Sequence, residues 1–182
     1  MLNHNCVVVY RSKSGFTKRY AQWISEELKC DLLQGKKVSV ADLQKYDIIL
    51  YGGGLYAIGL NGIKLITKNF NELKNKKLFV FGVGATPVRS ETTQEVMNAN
   101  IPSQQQGKIE FFYLRGGFDY KKLSPMNKLL MYLLKIKLKK AKDPDADSRG
   151  MLASYTHPVD FVKRKNIEQI INRIRSVSND ES

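Results

Sequence analysis

The sequence VVYRSKSGFT at residues 8–17 joins a short apolar run to a helical pattern. The run Cys6–Tyr10 is apolar and β-branched, as is typical of a buried parallel strand. After it, Ala21, Ile24 and Leu28 recur at helical spacing. The hydroxyl-rich stretch between them must therefore turn the chain from a strand into a helix.

A loop in this position is suited to bind a phosphate group. The first N–H groups of a helix lack partners and lie at the positive end of the helix dipole. Hydroxyl side chains add donors, and Gly15 allows the backbone to approach an anion closely. The predicted phosphate-binding residues are Ser12, Lys13, Ser14, Gly15, Phe16 and Thr17. The alternative is a turn that only caps the helix, because Ser and Thr are ordinary N-cap residues.

Other phosphate-binding loops do not fit the spacing. The first strand is followed neither by the glycine, lysine and hydroxyl pattern of a Walker loop nor by the three-glycine dinucleotide fingerprint. A low-molecular-weight tyrosine phosphatase requires one residue more between its cysteine and arginine than lie between Cys6 and Arg11. These classes are therefore disfavoured.

Residues 8–24 resemble the FMN-phosphate signature of flavodoxins. The shared pattern is apolar, apolar, aromatic, any, Ser or Thr, any two, Gly, any, Thr, any three, Ala, any two, apolar. The resemblance implies a flavodoxin-like protein with FMN as its cofactor.

The rest of the chain alternates apolar runs with helical patterns. Further strands are predicted at 31–33, 47–51, 78–83 and 109–114, and helices at 17–28, 61–69, 90–99 and 159–175. This alternation indicates an α/β fold, a flavodoxin-like doubly wound five-stranded parallel sheet in the order 2-1-3-4-5. Ligands of such sheets bind beyond the carboxyl ends of the strands, where this sequence is rich in glycine.

Two glycine-rich segments are predicted to surround the flavin ring. Residues 52–59 are expected to form a loop after the third strand, and Tyr56 can stack on the ring or lie in the core. Backbone amides after the fourth strand are expected at the polar edge of the ring, while Arg89 is either near that edge or solvated. The predicted ring contacts are Gly53, Gly54, Leu55, Tyr56, Gly84, Ala85 and Thr86.

The basic charge is concentrated in the last third of the chain. The net charge is +13, and the segment 121–142 contains eight lysines and no acidic residue. A helix is predicted from Ser124 to Lys142, with Lys128, Lys135, Lys139 and Lys142 within an arc of about 60° and apolar residues over most of the remainder. Such a basic amphipathic helix favours an anionic membrane surface or a hydrophobic partner. The alternative is a helix buried within the fold, and nucleic acid is disfavoured because no zinc finger, RNP or helix-turn-helix pattern accompanies the lysines.

Composition favours one flavodoxin-like FMN-binding domain over residues 1–182, with an inserted loop and helix at about 116–156. No signal peptide or membrane-spanning run is recognised, so a cytoplasmic protein is expected, peripheral on the inner face of the cell membrane if the basic helix binds lipid. Cys6 and Cys30 are expected to be buried hydrophobes, and no metal site is predicted.

The segments 112–117, 118–124 and 156–161 resemble the flavodoxin branch that includes menaquinone-dependent protoporphyrinogen IX dehydrogenase. That resemblance implies an FMN-dependent oxidoreductase with a protoporphyrinogen-like substrate and a quinone acceptor. No side chain is predicted as a catalytic acid or base. The alternatives are an electron carrier that docks a redox partner and a non-enzymatic scaffold that binds lipid or protein.

Overall fold

The computed structural model describes residues 5–123, 125–140, 149–150, 152, 155 and 157–179. Five parallel strands form its main sheet in the order β2-β1-β3-β5-β6. They are β1 Cys6–Arg11, β2 Asp31–Gln34, β3 Ile48–Tyr56, β5 Lys77–Gly84 and β6 Ile109–Arg115, and β4, Gly59–Leu60, pairs antiparallel with the end of β3. With β4 set aside, this is the predicted order 2-1-3-4-5, so the flavodoxin-like fold is confirmed.

Helices connect the strands on both faces of the sheet. They are α1 Phe16–Leu28, α2 Val40–Leu43, α3 Lys64–Thr67, α4 Phe70–Leu73, α5 Ser90–Asn100, α6 Ser103–Gln106, α7 Pro125–Lys140 and α8 Glu168–Asn179. Short 3₁₀ turns lie at Tyr120–Lys122 and Arg164–Ile167. Among the helices described, none combines the length and apolarity needed to cross a bilayer.

Each face of the sheet covers a separate apolar core, which explains why β1 reads as an uninterrupted apolar run. Ile24 of α1 and Ile170 of α8 pack with Phe81 on one face. On the other face, Leu43 and Leu73 pack with Tyr51. Cys6 is buried as expected and Cys30 is half-buried, and the hydrogen bond between these thiols together with burial raises the pKa of Cys6.

The predicted loop at 52–59 is wrong, because β3 continues through the glycines to Tyr56. Gly52 pairs with Tyr10 of β1 and with Phe81 of β5, so it lies inside the sheet. A Cβ atom at Gly52 would lie 2.1 Å from Cζ of Phe81. The glycines therefore make room for neighbouring groups within a strand, and the turn comes only at 57–58, where Ala57 has a φ of 53°.

Two predicted helices also differ from the structure. The helix at 61–69 is shortened to α3, Lys64–Thr67, and the separate helix α4 begins only at Phe70. The Asn69 side chain between them donates to the Leu65 carbonyl at 2.8 Å, which competes with continued backbone bonding. The helix at 159–175 begins late, because Val159–Asp160 forms β8 and pairs antiparallel with β7, Gly117–Phe118. The segment between β6 and α8 therefore leaves and returns through a two-stranded ribbon.

Replacing Gly52 with Ala is expected to lower the free energy of unfolding by about 1–3 kcal/mol. The new methyl group would overlap the ring of Phe81, which is fully buried and has no room to move. Urea denaturation of the purified protein measures the change.

Gly107→Ala provides the matched control. No heavy atom lies within 4 Å of a Cβ atom at Gly107, and its backbone is in the right-handed helical region. This variant is expected to be unchanged or to gain up to about 1 kcal/mol. Equal losses in the two variants would contradict the packing role of Gly52.

Candidate functional site

The loop between β1 and α1 forms an open cradle at the carboxyl edge of the sheet. Gly15 has a φ of 95°, a conformation that L side chains rarely adopt, and its N–H donates to the Ser12 hydroxyl at 3.1 Å. No heavy atom lies within 4 Å of a Cβ atom built at Gly15. The protein's own atoms therefore leave space beside the loop.

The start of α1 is suited to receive an anion in that space. No side chain caps the helix, and no acidic residue lies in its first turn. The positive end of the helix dipole is therefore not neutralised by the protein, which favours a bound negative group. Phe16 contributes only its backbone here, because its ring packs against Gly117, with Cζ 2.6 Å from the Cβ position of that glycine.

The end of β3 reaches the cradle directly. Thr17 is only 2% exposed, and its Oγ1 lies 3.3 Å from the Cβ position of Gly54. Lys13 places its Nζ 4.5 Å from the ring centroid of Tyr56. Tyr56 is half-buried, and burial raises the pKa of its phenol above the ordinary value. Gly53 differs from these residues, since its Cβ position faces Leu60 and Asn61 in the hairpin.

The segment after β5 is held by its carbonyl groups. The Gly84 carbonyl accepts from the Gly116 N–H at 2.7 Å, and the Ala85 carbonyl accepts from the Arg115 Nε at 3.4 Å. The Thr86 carbonyl accepts from the Tyr113 hydroxyl at 3.0 Å. Because C=O and N–H point in opposite directions across a trans peptide, the N–H groups of Ala85 and Thr86 point away from β6.

The same segment adjoins the end of β3. Cδ1 of Leu55 lies 3.0 Å from the Cβ position of Gly84. The cradle, the end of β3 and the segment after β5 therefore form one continuous edge, and the structure brings together the three predicted groups of site residues.

Two supporting residues were not predicted from the sequence. Asn100 of α5 accepts from the Leu60 N–H at 2.6 Å and donates to the Ile58 carbonyl at 2.7 Å, so it fixes the hairpin that carries Tyr56. Arg115 places its guanidinium 3.6 Å from the ring centroid of Phe161. Its position directly after a predicted strand was the available signal for Arg115, whereas nothing in the local sequence marks Asn100.

The sequence of the chain matches a family of known proteins. The family described as the flavodoxin domain matches residues 7–145, which is well over half of the chain. The chain belongs to the flavodoxin family. The match includes the cradle, the end of β3 and the segment after β5, so every predicted site residue lies within the flavodoxin domain. No curated protein matches the chain significantly.

Solved structures with similar folds include several flavodoxins and flavoproteins. The two-electron reduced flavodoxin of Megasphaera elsdenii has 19% identity over 59% of this chain and 84% of its own, with a TM-score of 0.43. A WrbA-like flavodoxin of Agrobacterium tumefaciens has 16% identity over 69% and 88%, with a TM-score of 0.44. A flavoprotein of Lactobacillus acidophilus in complex with FMN has 17% identity over 62% and 92%, with a TM-score of 0.39.

Opposite exchanges at two positive-φ residues test the backbone of the site. Gly15→Ala is expected to lower the free energy of unfolding by about 1–2 kcal/mol, because the side chain fits the space but disfavours the left-handed conformation. Ala57→Gly removes the same kind of strain from the β3–β4 turn and is expected to raise stability by up to about 1 kcal/mol. Urea denaturation without added ligand measures both, and changes of equal sign would contradict the assigned backbone conformations.

Proposed function

We propose that the protein binds FMN and acts as an FMN-dependent oxidoreductase. The observation that carries this proposal is the open cradle of Gly15, joined without interruption to Tyr56 and to the N–H groups of Ala85 and Thr86. This edge offers an anion site beside a partly aromatic wall and a row of polar donors. A flavin mononucleotide combines a phosphate, a flat ring and a polar ring edge, so its chemistry matches the edge.

The cradle would hold the phosphate. Ser12, Ser14 and Thr17 supply hydroxyl groups, and the first N–H groups of α1 supply backbone donors. The loop between β1 and α1 provides one anion site, which favours FMN over a dinucleotide. Lys13 adds a positive charge at the mouth of the cradle, where it now lies against Tyr56.

The flavin ring would lie between two groups of residues. Leu55 and Tyr56 would contact one side of it, and residues 84–86 the other. When bound, FMN supplies one-electron and two-electron transfer chemistry, while the protein orients the ring and sets its electrostatic surroundings. The N–H groups of Ala85 and Thr86 would stabilise negative charge at the polar edge. Tyr113 fixes this segment through the Thr86 carbonyl, and so acts as a positioning residue.

The proposed substrate is protoporphyrinogen-like, and the proposed electron acceptor is a quinone. This proposal is supported by the sequence resemblance at 112–124 and 156–161 and by two exposed apolar side chains beside the edge. Ile58 is 38% exposed at the tip of the β3–β4 hairpin, and Val88 is 57% exposed after β5. Covering these side chains with a flat apolar molecule would remove apolar surface from water, which is favourable. Two electrons and two protons taken from the donor would convert one quinone into its quinol.

Cofactor choice is tested by titrating the unliganded protein with FMN and with FAD. FMN is expected to bind more tightly, since the cradle offers one phosphate site. The double variant Gly15→Val/Thr17→Ala loses a hydroxyl donor and obstructs the loop, and loss of one charge-assisted hydrogen bond costs about 1.5–3 kcal/mol. Its FMN affinity is expected to fall by about tenfold or more.

Thr67→Ala is the matched control for this titration. It removes a threonine hydroxyl from α3. The Thr67 hydroxyl donates to the Ile63 carbonyl and the Thr67 carbonyl accepts from the Gln105 side chain, so these bonds do not involve the cradle. FMN affinity is expected to stay unchanged. Wild-type affinity in the double variant as well would show that the phosphate binds elsewhere.

Turnover is tested by reducing the FMN-loaded protein anaerobically and mixing it with a soluble naphthoquinone. An oxidoreductase of this kind is expected to return electrons to the quinone with saturable kinetics. Tyr56→Ala is expected to change flavin fluorescence and the reduction potential more than the unfolding midpoint. Tyr132→Ala, which lies outside the edge, is expected to change neither flavin fluorescence nor the reduction potential. If only redox proteins reoxidise the flavin, the electron-carrier alternative replaces the enzyme.

A further inference from the structure

One side of α7 carries four large apolar side chains that the fold leaves exposed. Leu129 is 55% exposed, Tyr132 53%, Leu133 54% and Ile136 36%. Their positions follow the spacing i, i+3, i+4 and i+7, so they lie on one face of the helix. We call these four residues the α7 stripe.

A different side of α7 contacts other residues of the inserted segment. The Tyr155 hydroxyl donates to the Met131 carbonyl at 2.5 Å, and the Tyr120 hydroxyl donates to the Lys128 carbonyl at 3.3 Å. Lys135 places its Nζ 5.2 Å from the ring centroid of Tyr155. Phe118 also packs against Tyr155, at a centroid distance of 5.7 Å. These contacts hold one side of α7 within the inserted segment, and the α7 stripe lies on another side of the helix.

The positive charge of this region favours a negatively charged partner surface over the stripe. Residues 121–142 contain eight lysines and no Asp or Glu. Lysines beside an apolar helix face are typical of helices that lie in the interface of an anionic membrane. A second copy of the chain would bring two such lysine-rich segments together, which like-charge repulsion opposes. Lys139 and Lys142 of the predicted arc lie outside the described side chains.

We propose that the α7 stripe docks into the headgroup region of an anionic lipid bilayer. The stripe spans about 10 Å along the helix axis, at 1.5 Å per residue, which suits shallow insertion parallel to the surface. The apolar side chains enter the interface, and the lysines of the segment contact lipid phosphates.

The chain segments that connect α7 to the domain begin and end beside the proposed flavin edge. The chain enters this segment through β7 and returns through β8, and the Phe161 N–H donates to the Gly116 carbonyl at 2.9 Å. Gly117 also contacts Phe16 at the start of α1. Docking of α7 would therefore attach the edge, through this ribbon, to a membrane that carries lipid-dissolved molecules such as quinones. This consequence rests on the proposed function, whereas docking itself does not.

The experiment is sedimentation of the full, FMN-treated chain with vesicles. Vesicles of phosphatidylglycerol with phosphatidylcholine are compared with vesicles of phosphatidylcholine alone, at low and high salt. We expect binding to the anionic vesicles, weakened by salt because of screening, and much less binding to phosphatidylcholine. Leu129→Gln/Leu133→Gln is expected to lower the partition coefficient by about tenfold or more, since two exposed apolar side chains are lost while helix-forming residues remain.

A pair of lysine variants separates local charge from net charge. Lys121→Gln/Lys128→Gln removes two positive charges from the α7 segment, and each lysine near an anionic surface contributes about 1 kcal/mol. Lys36→Gln/Lys37→Gln removes the same charge from an exposed turn after β2. Only the first variant is expected to lose binding, by about thirtyfold. Equal losses would overturn the assignment to α7.

Two further outcomes would overturn the proposal. The first is wild-type protein that ignores anionic vesicles at low salt. The second is a dimer on gel filtration that Leu129→Gln/Leu133→Gln converts into a monomer without any vesicle binding, because a second copy would then cover the stripe. Circular dichroism confirms that each variant is folded. Protein that binds FMN but not vesicles contradicts docking alone, and protein that binds vesicles but not FMN contradicts the proposed function alone.

Discussion

The contact between Gly52 and the ring of Phe81 determines where the functional edge is built. Because no side chain stands at Gly52, Phe81 fills that space, and β3 stays paired with both β1 and β5 beyond the middle of the sheet. The strand then carries Tyr56 to the cradle and brings Leu55 against Gly84. A side chain at Gly52 would displace either the ring or the strand. In this part of the protein, the packing of the core therefore also determines the geometry of the site.

The helix of the cradle is also tied to residues on either side of the inserted segment. Tyr20 of α1 donates to the Arg115 carbonyl at 2.7 Å and accepts from Asn166 at 2.6 Å. These bonds connect the first helix, the end of β6 and the start of the final helical region. The helix whose N-terminus forms the anion site is therefore held to the two parts of the chain that flank the inserted segment.

The parts predicted from the sequence are those whose signals are local. The phosphate loop, the five parallel strands and their order follow from apolar runs and from the turn chemistry around Gly15. The extension of β3 could not be predicted, because glycines at 52–54 have the composition of a loop and only their pairing with β1 and β5 shows that they lie in a strand. The β7–β8 ribbon was missed for a similar reason, since two-residue strands have no periodicity. Asn100 acts across 40 residues of sequence, so no local pattern reveals its contact with Leu60.

The strength of the ribbon decides whether α7 and the cradle behave as one unit. Arg19 of α1 forms an ion pair with Asp160 of β8, but both side chains are more than two-fifths exposed. An exposed pair contributes about 0–1 kcal/mol, so it cannot hold the base of the segment by itself. Packing of Phe16 on Gly117 and the backbone bond from Phe161 to Gly116 involve no ionised groups, so salt does not screen them. The base of the inserted segment is therefore held beside the cradle mainly by these apolar and backbone contacts, and salt that weakens lipid attraction would leave them intact.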